Sequence, residues 1–324
     1  MDKHKLLVIL GPTATGKTDL ALSLAKKFSG ELISADSRQV YKGLDIGTGK
    51  LPGREVEVKR GDGFWEMDGT KVWMYDVVNP KQQFTVKDYV LQAGKIVEDV
   101  IKRGRLPIVV GGTGFYVKGL LEGFASLDIP MDENLRGELQ KLSLKELQQK
   151  LQSLSPTKWA SLNQSDKKNP RRILRSIEII YTYPYRKTNK KLKIKSKKWN
   201  MLKIGLTAPR PVLYERIDLR LLSRIQQGLI EEGENLHEKG LSLQRMKELG
   251  LEYGMMADLL SGVLSNEQFT TQLQTKIHQY AKRQMTWFQK EPDIHWFDIT
   301  TLTYHEKVEN LVDSWYYPGD DKKD

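Results

Sequence analysis

The segment Lys5–Phe28 reads KLLVILGPTATGKTDLALSLAKKF and joins an apolar run, a glycine turn and an amphipathic stretch. The apolar run ends at Leu10 and predicts a buried strand, and the stretch from Lys17 predicts a helix to about Phe28. The turn between them matches the pattern GxxxxGKT at every required position. Its glycines let backbone N–H groups curl around an anion, and the helix N-terminus adds partial positive charge. The segment therefore predicts a strand, a phosphate-binding loop and a helix in succession.

Each residue of the turn is predicted to contact a pyrophosphate group: Gly11, Pro12, Thr13, Ala14, Thr15, Gly16, Lys17 and Thr18. Lys17 would act as a point charge, and Thr18 would bind a Mg²⁺ ion that shares phosphate oxygens. The motif does not by itself specify ATP. P-loop NTPases usually carry an Asp at the end of an apolar strand to hold magnesium, whereas the run Leu106–Val110 leads into two glycines. A small-molecule or nucleoside kinase is therefore the less favoured alternative.

Further apolar runs alternate with helical patterns along the chain. Strands are predicted at Glu31–Ala35, Val72–Val78, Leu106–Val110 and Met201–Leu206, with a last candidate at Asp293–Ile299. Helical periodicity covers Lys87–Arg103, and Arg210–Lys239 is predicted as one long helix or a helical pair. Buried strands that alternate with helices are typical of a parallel, doubly wound sheet that is covered on both faces. The fold class predicted is α/β, with a P-loop-type doubly wound parallel sheet as its core.

The pattern changes near Leu120. From about Asp132 to Tyr181 the chain is polar, rich in Lys and Gln, and helical in its spacing. We therefore predict a P-loop catalytic core formed by residues 1–119 and 200–324, with an inserted, mainly helical domain at residues 120–199. The run Lys187–Lys198 (KTNKKLKIKSKK) is basic, and is either a solvated loop or a weak, salt-sensitive attraction for phosphates.

Composition limits the classes of partner and chemistry. Lys and Arg total 52 against 41 Asp and Glu, which gives a net charge of +11 over 324 residues. Such an excess favours a polyanionic partner, although a merely basic soluble protein is equally compatible. The chain has no cysteine, so disulfides, thiolate zinc sites and cysteine nucleophiles are excluded. No stretch is long and apolar enough to cross a membrane, so we expect a cytoplasmic protein.

A second chemical candidate follows the second predicted strand, where Ser34–Tyr41 reads SADSRQVY. Ligands of open parallel sheets bind at the carboxyl ends of strands. Asp36 could accept a proton or a hydrogen bond from an exocyclic amine, and Arg38 and Gln39 could read a base edge or a phosphate. Asp36 could equally cap a helix, and the local sequence leaves both interpretations open.

Taken together, these segments resemble the tRNA dimethylallyltransferase family (tRNA isopentenyltransferases), bacterial type. The matching motifs run in family order: GPTATGKT, ISADSRQVYKGLDIGTGK at Ile33–Lys50, GGTGFYVKGL at Gly111–Leu120, NPRRILRSIEI at Asn169–Ile179, LYERIDLR at Leu213–Arg220 and AKRQMTWF at Ala281–Phe288. Two segments depart from the pattern. Many relatives read IGYKE where this chain has LGLEY at Leu249–Tyr253, and GTAKP where it has GTGKL at Gly47–Leu51.

The resemblance implies transfer of a dimethylallyl group from dimethylallyl pyrophosphate to N6 of the adenine beside the anticodon of tRNA, with Mg²⁺. The loop would hold the donor's pyrophosphate, Asp36 would be the general base, Thr113 would lie near the donor phosphates and the metal, and Arg220 would neutralise the leaving group. Contacts to the anticodon stem-loop are expected from Asp36, Ser37, Arg38, Gln39, Thr113, Asn169, Arg171, Arg172, Lys282, Arg283 and Gln284. We expect a monomer.

Physical chemistry agrees with these roles. Allylic C–O cleavage places positive charge on carbon and negative charge on pyrophosphate, which fixed N–H groups, Lys17 and Arg220 would stabilise. A carboxylate helps a weakly nucleophilic amine by removing its proton. A non-catalytic RNA-binding protein with a nucleotide switch is less favoured. For Arg216, surface pairing with Glu215 or Asp218 is favoured, and Trp287 and Phe288 are expected in the core.

Overall fold

One sheet runs through the larger part of the chain in the computed structural model, which describes residues 4–51, 55–124, 127, 129, 131–182 and 199–318. Within these residues the strands are β1 (His4–Leu10), β2 (Gly30–Ser34), β3 (Val58–Gly61), β4 (Phe64–Met67), β5 (Thr70–Trp73), β6 (Leu106–Gly111), β7 (Trp199–Thr207) and β8 (Ile294–Asp298). Their order is β3-β4-β5-β2-β6-β1-β7-β8. All pairs from β5 to β8 are parallel, which confirms the predicted parallel core.

The order of the strands places β6 between β1 and β2. The chain leaves β1, crosses over β6 to reach β2, and later returns to fill the gap. The connections after β1 and after β6 therefore diverge at neighbouring strand ends. Ligands of doubly wound sheets bind at such a switch point, on the carboxyl side of the strands. The loop Gly11–Thr18 begins there.

The helices, in chain order, are α1 (Lys17–Lys27), α2 (Val86–Lys102), α3 (Gly114–Glu122), α4 (Glu133–Leu139), α5 (Leu144–Leu154), α6 (Pro156–Ser161), α7 (Gln164–Lys167), α8 (Pro170–Thr182), α9 (Arg210–Gln226), α10 (Leu229–Glu238), α11 (Leu243–Leu249), α12 (Leu251–Leu260), α13 (Asn266–Phe288) and α14 (Tyr304–Tyr316). The stretch Arg210–Lys239 is thus a helical pair. Gly228, at a φ of 99°, separates α9 from α10. Among the described helices, none combines the length and apolar character that a membrane crossing needs.

The edge of the sheet differs from the prediction. The strand expected at Val72–Val78 ends at Trp73, because Met74 and Asp76 adopt φ values of 68° and 55° that no strand accommodates. The antiparallel strands β3 and β4 were missed altogether. Their signal was present as two Asp-Gly turns, at 62–63 and 68–69, which are typical of tight hairpins.

The chain divides into two compact units. The larger contains Met1–Leu121 and Lys195–Asp324, and the smaller contains Glu122–Ile194. In the larger unit, apolar residues of the sheet, α1 and α14 form one buried cluster, which includes Leu7, Leu24 and Ile108. That packing fixes the strand ends from which the loops depart.

The smaller unit is helical in its described part, from α4 to α8. Its core contains Leu139, Leu147, Leu151, Ile173, Leu174 and Ile177. The buried carboxylate of Glu178 is paired with both Arg136 and Arg175, so Arg175 is engaged inside this unit. The basic run Lys187–Lys198 lies outside the described residues, and its contact with RNA stays a prediction.

Candidate active site

A cavity of about 330 Å³ opens at the carboxyl ends of β1, β2 and β6. Ten of the residues singled out from the sequence line it: Thr13, Lys17, Thr18, Asp36, Ser37, Arg38, Gln39, Arg220, Arg283 and Gln284. They come from four separate segments of the larger unit. The loop that was predicted to bind phosphate and the segment that contains Asp36 therefore face one space.

The loop Gly11–Thr18 is shaped by backbone conformations that glycine favours. Gly11 has a φ of 140°, and a Cβ at that position would lie 2.4 Å from the carbonyl oxygen of Leu206 on β7. Gly16 has a φ of 80° and ends the loop as the N-cap of α1. The buried Thr15 donates its hydroxyl hydrogen to the carbonyl of Pro12 over 2.9 Å. These backbone angles and this hydrogen bond together define the conformation of the loop.

Lys17 begins α1 and reaches back into the loop. Its ammonium group donates to the carbonyl oxygen of Pro12 over 2.6 Å. Burial lowers the pKa of Lys17 to about 7, and the nearby guanidinium of Arg220 acts in the same direction, while Asp36 opposes both. A cation held in this way gains from any anion that enters the cavity, because the anion offsets both the lost hydration and the repulsion.

Asp36 lies directly beyond β2 with its two carboxylate oxygens in different environments. Oδ1 accepts the backbone N–H groups of Arg38 at 2.8 Å and Gln39 at 3.4 Å. Oδ2 accepts no hydrogen bond from the described residues. Oδ1 therefore caps a turn rather than a helix, and the role of Asp36 as a base stays a prediction. The second oxygen remains available in the cavity.

Thr113 connects the turn after β6 to the Asp36 segment. Its hydroxyl oxygen accepts the N–H of Ser37 at 3.1 Å, and its own N–H donates to the carbonyl of Ala35 at 3.1 Å. A Cβ on the neighbouring Gly111 would lie 2.3 Å from the same carbonyl oxygen. The two strand ends are thus in contact, and Thr113 supports the position of Asp36 from behind.

Gln284 on α13 joins two loops of the cavity. Its Oε1 accepts the N–H of Thr13 at 2.9 Å, and its Nε2 donates to the carbonyl of Gly112 at 2.9 Å. The side chain is 5% exposed, so it fixes the spacing between the phosphate loop and the turn after β6. Its neighbours Lys282 and Arg283 are exposed. Of the three basic or amide residues predicted here to contact tRNA, Gln284 has the geometry of a structural bridge.

Gln39 bridges in a similar manner on the opposite wall. Its Oε1 accepts the hydroxyl of Ser34 at 2.7 Å, and its Nε2 donates to the carbonyls of Thr48 and Gly49 at 3.2 and 3.3 Å. Both donors of the amide are thus engaged by backbone. Gln39 therefore anchors the segment 45–50 to the end of β2.

The same segment is held from outside by Glu232 on α10, a residue that sequence reasoning missed. Its carboxylate accepts the N–H groups of Asp45, Ile46 and Gly47 at 2.8, 2.7 and 3.0 Å. Tyr253 donates its hydroxyl to the same carboxylate over 2.6 Å. Nothing in the local sequence around Glu232 indicates a partner 185 positions away, so this contact was not predictable.

The prediction for Arg216 was wrong. Its Nε donates to the carbonyl oxygen of Ala14 in the phosphate loop at 2.8 Å. The pairing with Asp218 that spacing suggested is replaced, because Asp218 faces His278 on α13 at 2.8 Å. Ala14 has a φ of 64°, a strained value for a residue with a Cβ. Arg216 therefore supports a strained part of the loop.

Arg220 and Arg224 follow at successive turns of α9. Nη1 of Arg220 reaches the hydroxyl of Thr13 at 3.4 Å, and Nη1 of Arg224 donates to the carbonyl of Gly47 at 3.1 Å. Arg220 was predicted for this site, whereas Arg224 was missed. A spacing of four residues along one helix would have indicated it, since such positions share a face.

Other cavity residues were also missed. Tyr75 and Tyr280 line the wall, and burial raises the pKa of both hydroxyls, so both stay neutral donors. The segment from Leu249 to Glu252 lines it too. In that segment Leu251 has a φ of 41°, a left-handed value that is strained for a residue with a Cβ, and strain of this kind clusters at functional sites.

The remaining predicted residues lie in the smaller unit. Asn169 accepts the N–H of Arg172 at 3.3 Å and thereby caps the start of α8. Arg172 forms an ion pair with Asp166, and Arg171 is exposed. Contact of these residues with tRNA stays a prediction. In the larger unit, Phe288 lies in the core as expected, and Trp287 packs over Gly114.

Comparison with known proteins identifies the family to which the whole chain is similar. A model described as IPP transferase matches residues 39–291, and one described as isopentenyl transferase matches residues 4–62. The tRNA dimethylallyltransferase of Bacillus mycoides is 36% identical over 93% of this chain and 92% of its own length. The tRNA dimethylallyltransferase 2 of Treponema denticola is 41% identical over 89% and 93%.

Solved structures agree. The tRNA isopentenylpyrophosphate transferase of Bacillus halodurans superposes with a TM-score of 0.68 at 34% identity and covers 97% of both chains. A eukaryotic dimethylallyltransferase acting on tRNA shares the fold, with a TM-score of 0.76 over 97% of this chain and 79% of that one, at 24% identity. With a family model that covers most of its length and relatives of this identity, the chain belongs to the IPP transferase family.

Proposed function

We propose that this chain transfers a dimethylallyl group from dimethylallyl pyrophosphate to N6 of the adenine adjacent to the anticodon of tRNA, releasing pyrophosphate. The observation that carries the proposal is the shared cavity of the phosphate loop and Asp36. A donor anchored in the loop would extend its allylic carbon into the space that the carboxylate faces. The relatives named tRNA dimethylallyltransferase support the same reaction.

The leaving group would be stabilised by the loop and by α9. Cleavage of the allylic C–O bond moves negative charge onto pyrophosphate, and preorganised donors lower the barrier where charge develops. Backbone N–H groups of the loop Gly11–Thr18, apart from that of Thr13, which already donates to Gln284, would surround that position together with the ammonium of Lys17 and the guanidinium of Arg220. Since Gln284 fixes Thr13, these donors need little rearrangement during the reaction.

A magnesium ion fits this site if the phosphate oxygens of the donor supply most of its ligands, rather than a cluster of protein side chains. The described residues contain no group of three or more His, Cys, Asp or Glu with metal-binding geometry. Thr18 lines the cavity beside Lys17, and Mg²⁺ commonly keeps several waters while it binds substrate phosphates and one or two protein oxygens. Thr18 would hold such an ion, which would supply further neutralisation of the pyrophosphate.

Asp36 would act on the acceptor. The lone pair of the adenine amine is delocalised, so proton removal during attack contributes to the rate. Oδ1 is fixed by the turn to Arg38, and Oδ2 is the oxygen available to the amine. The base must leave its stack to enter the cavity. Thr113 accepts the N–H of Ser37 and so holds the segment that contains Asp36. It would therefore orient the carboxylate of Asp36 rather than touch the donor.

Exposed cations near the cavity would bind the RNA backbone. Lys282 and Arg283 lie on the exposed side of α13, and Arg38 lines the cavity. Contacts from Arg171 and Arg172 in the smaller unit would add to these, and phosphate neutralisation would make binding fall with salt. The cavity is built from one copy of the chain, so we expect an active monomer, which size-exclusion chromatography of the active fraction checks.

The test is direct. The protein is mixed with dimethylallyl pyrophosphate, Mg²⁺ and unmodified tRNA, and the digested nucleosides are analysed by mass spectrometry. We expect N6-isoprenylated adenosine only when all components are present. Consumption of ATP without this product would instead indicate a kinase, and RNA binding without either reaction would indicate a non-catalytic binding protein.

A further inference from the structure

Two arginine side chains lie side by side over Gly49. A Cβ built on Gly49 would be 1.9 Å from Nη2 of Arg224 and 2.4 Å from Nη2 of Arg220. Both nitrogens therefore approach the same point, and the two guanidinium groups are neighbours. We call Arg220 and Arg224 the arginine pair.

Arg224 of the pair is buried and Arg220 is half-buried, so neither guanidinium is fully hydrated. Arg224 is 9% exposed. Its guanidinium, together with burial, lowers the pKa of Arg220 to about 9. Within the described residues the ion-pair partner of Arg224 is Glu252, whose Oε1 lies 3.7 Å from Nη1, beyond hydrogen-bond distance. Two close cations in a poorly solvated site are stabilised when an anion joins them.

The cavity places a third cation beside the pair. Lys17 lines the same space as both arginines, and Arg220 contributes to lowering the pKa of Lys17. The three side chains therefore act electrostatically on one region. The carboxylates of Asp36 and Glu252 line the same space, so what favours a diphosphate is its reach: it offers two phosphate groups that Lys17 and the arginine pair can contact at once, whereas a phosphate monoester offers one.

We infer that Arg224 is a second guanidinium group of the donor site and binds the pyrophosphate together with Arg220 and Lys17. The inference rests on the proposed function, because it takes the anion to be the pyrophosphate of an allylic donor. Nη1 of Arg224 is fixed by the carbonyl of Gly47 and faces Glu252. Its Nη2 lies beside the guanidinium of Arg220. The N–H groups of Nη2 would therefore be additional hydrogen-bond donors to the anion.

Two departures from the family pattern fit this arrangement. Gly49 stands where many relatives carry the alanine of GTAKP, and a methyl group there would occupy the place of the Arg224 guanidinium. Glu252 stands where they carry the lysine of IGYKE. Glu252 thus brings a carboxylate to the wall of the cavity, and Arg224 brings a cation to it from α9.

The experiment compares wild-type protein with Arg224→Gln. Calorimetry measures the binding of inorganic pyrophosphate to each, and a separate titration measures the binding of unmodified tRNA. We expect pyrophosphate affinity to fall about tenfold to a hundredfold, as for loss of a hydrogen-bonded charge, while tRNA affinity changes less than about threefold. Arg210→Gln is the matched control, since it removes an exposed arginine from the same helix. The double variant Arg224→Gln/Glu252→Gln serves if the single variant fails to fold, because it leaves no buried carboxylate unpaired.

A steady-state measurement with donor and tRNA separates binding from folding defects. Arg224→Gln should raise KM for the donor and leave KM for tRNA near its wild-type value. If folded Arg224→Gln binds pyrophosphate as tightly as Arg210→Gln does, or the double variant as tightly as Glu252→Gln alone, the role of Arg224 is refuted and the proposed function stands. If the wild-type protein neither binds pyrophosphate nor forms product, the proposed function itself fails.

Discussion

The lowered pKa of Lys17 makes pyrophosphate binding depend on pH in a way that can be calculated. In the free protein this pKa is about 7, because burial and Arg220 disfavour the charged form. Above pH 7 most Lys17 side chains are neutral. Binding of an anion then either lacks the charge of the ammonium or is coupled to the uptake of a proton. We therefore expect pyrophosphate affinity to decrease as the pH rises from 6 to 8.5.

The magnitude follows from the titration. At pH 8.5 about 3% of the free sites would carry a charged lysine, so the affinity relative to that of Lys17→Met, which shares the titration of pyrophosphate itself, should be about 30-fold weaker than at pH 6, or about 2 kcal/mol. This range stays below the pKa of about 9 for Arg220, so most of the Arg220 guanidinium groups remain charged throughout. Bound pyrophosphate raises the pKa of Lys17 again, and binding should therefore take up a proton near pH 8.

Calorimetry with inorganic pyrophosphate at several pH values measures the effect. Lys17→Met is the test variant, and it should bind weakly with only the pH dependence of pyrophosphate itself. The wild-type affinity should approach that of the variant at high pH. Lys26→Met, an exposed position on the same helix, is the control and should keep the wild-type profile. Parallel profiles for wild-type protein and Lys17→Met would refute the reasoning.

The ligand-free protein should respond to pH in the opposite sense. The folded pKa of Lys17 lies below the unfolded value of 10.5, so the unfolded chain binds more protons between pH 7 and 10.5. Stability contributed by this group therefore rises with pH across that interval. Thermal unfolding of wild-type protein relative to Lys17→Met should show the difference shrinking from pH 7 to pH 9.

Three further substitutions test the site. Asp36→Asn keeps an oxygen that accepts the N–H of Arg38 but removes the carboxylate base, so turnover should fall about 10²- to 10⁴-fold while tRNA affinity is retained. Unchanged turnover would exclude Asp36 as the base. Gln284→Ala breaks the bridge between Thr13 and Gly112. We expect the free energy of unfolding in urea to fall by about 2 kcal/mol and the KM for the donor to rise. A KM for the donor at the wild-type value would contradict the bridging role. Glu232→Gln should cost about 1–3 kcal/mol in the same assay, and a loss below 0.5 kcal/mol would show that the segment 45–47 is held otherwise.

How far local sequence could predict the site depends on how each residue acts. Lys17 and Asp36 were found because their neighbours in the chain define a loop and a strand end. Arg216 was misjudged, because spacing along a helix favours pairing with Asp218 and contains no information about Ala14 on another element. Glu232 gave no signal, since a carboxylate that binds three backbone N–H groups needs no sequence pattern at either end.

The sequence by itself determined the alternation of buried strands with helices in the parallel core and the conformation of the loop Gly11–Thr18, but not the antiparallel edge strands β3 and β4. These depend on hydrophobic periodicity and on glycine dihedral angles, which are local properties. Only the tertiary structure decided which side chains share the cavity. Arg224, Gln284 and Glu252 reach it from helices far apart in the chain, and their burial beside one another depends on how those helices pack on the sheet.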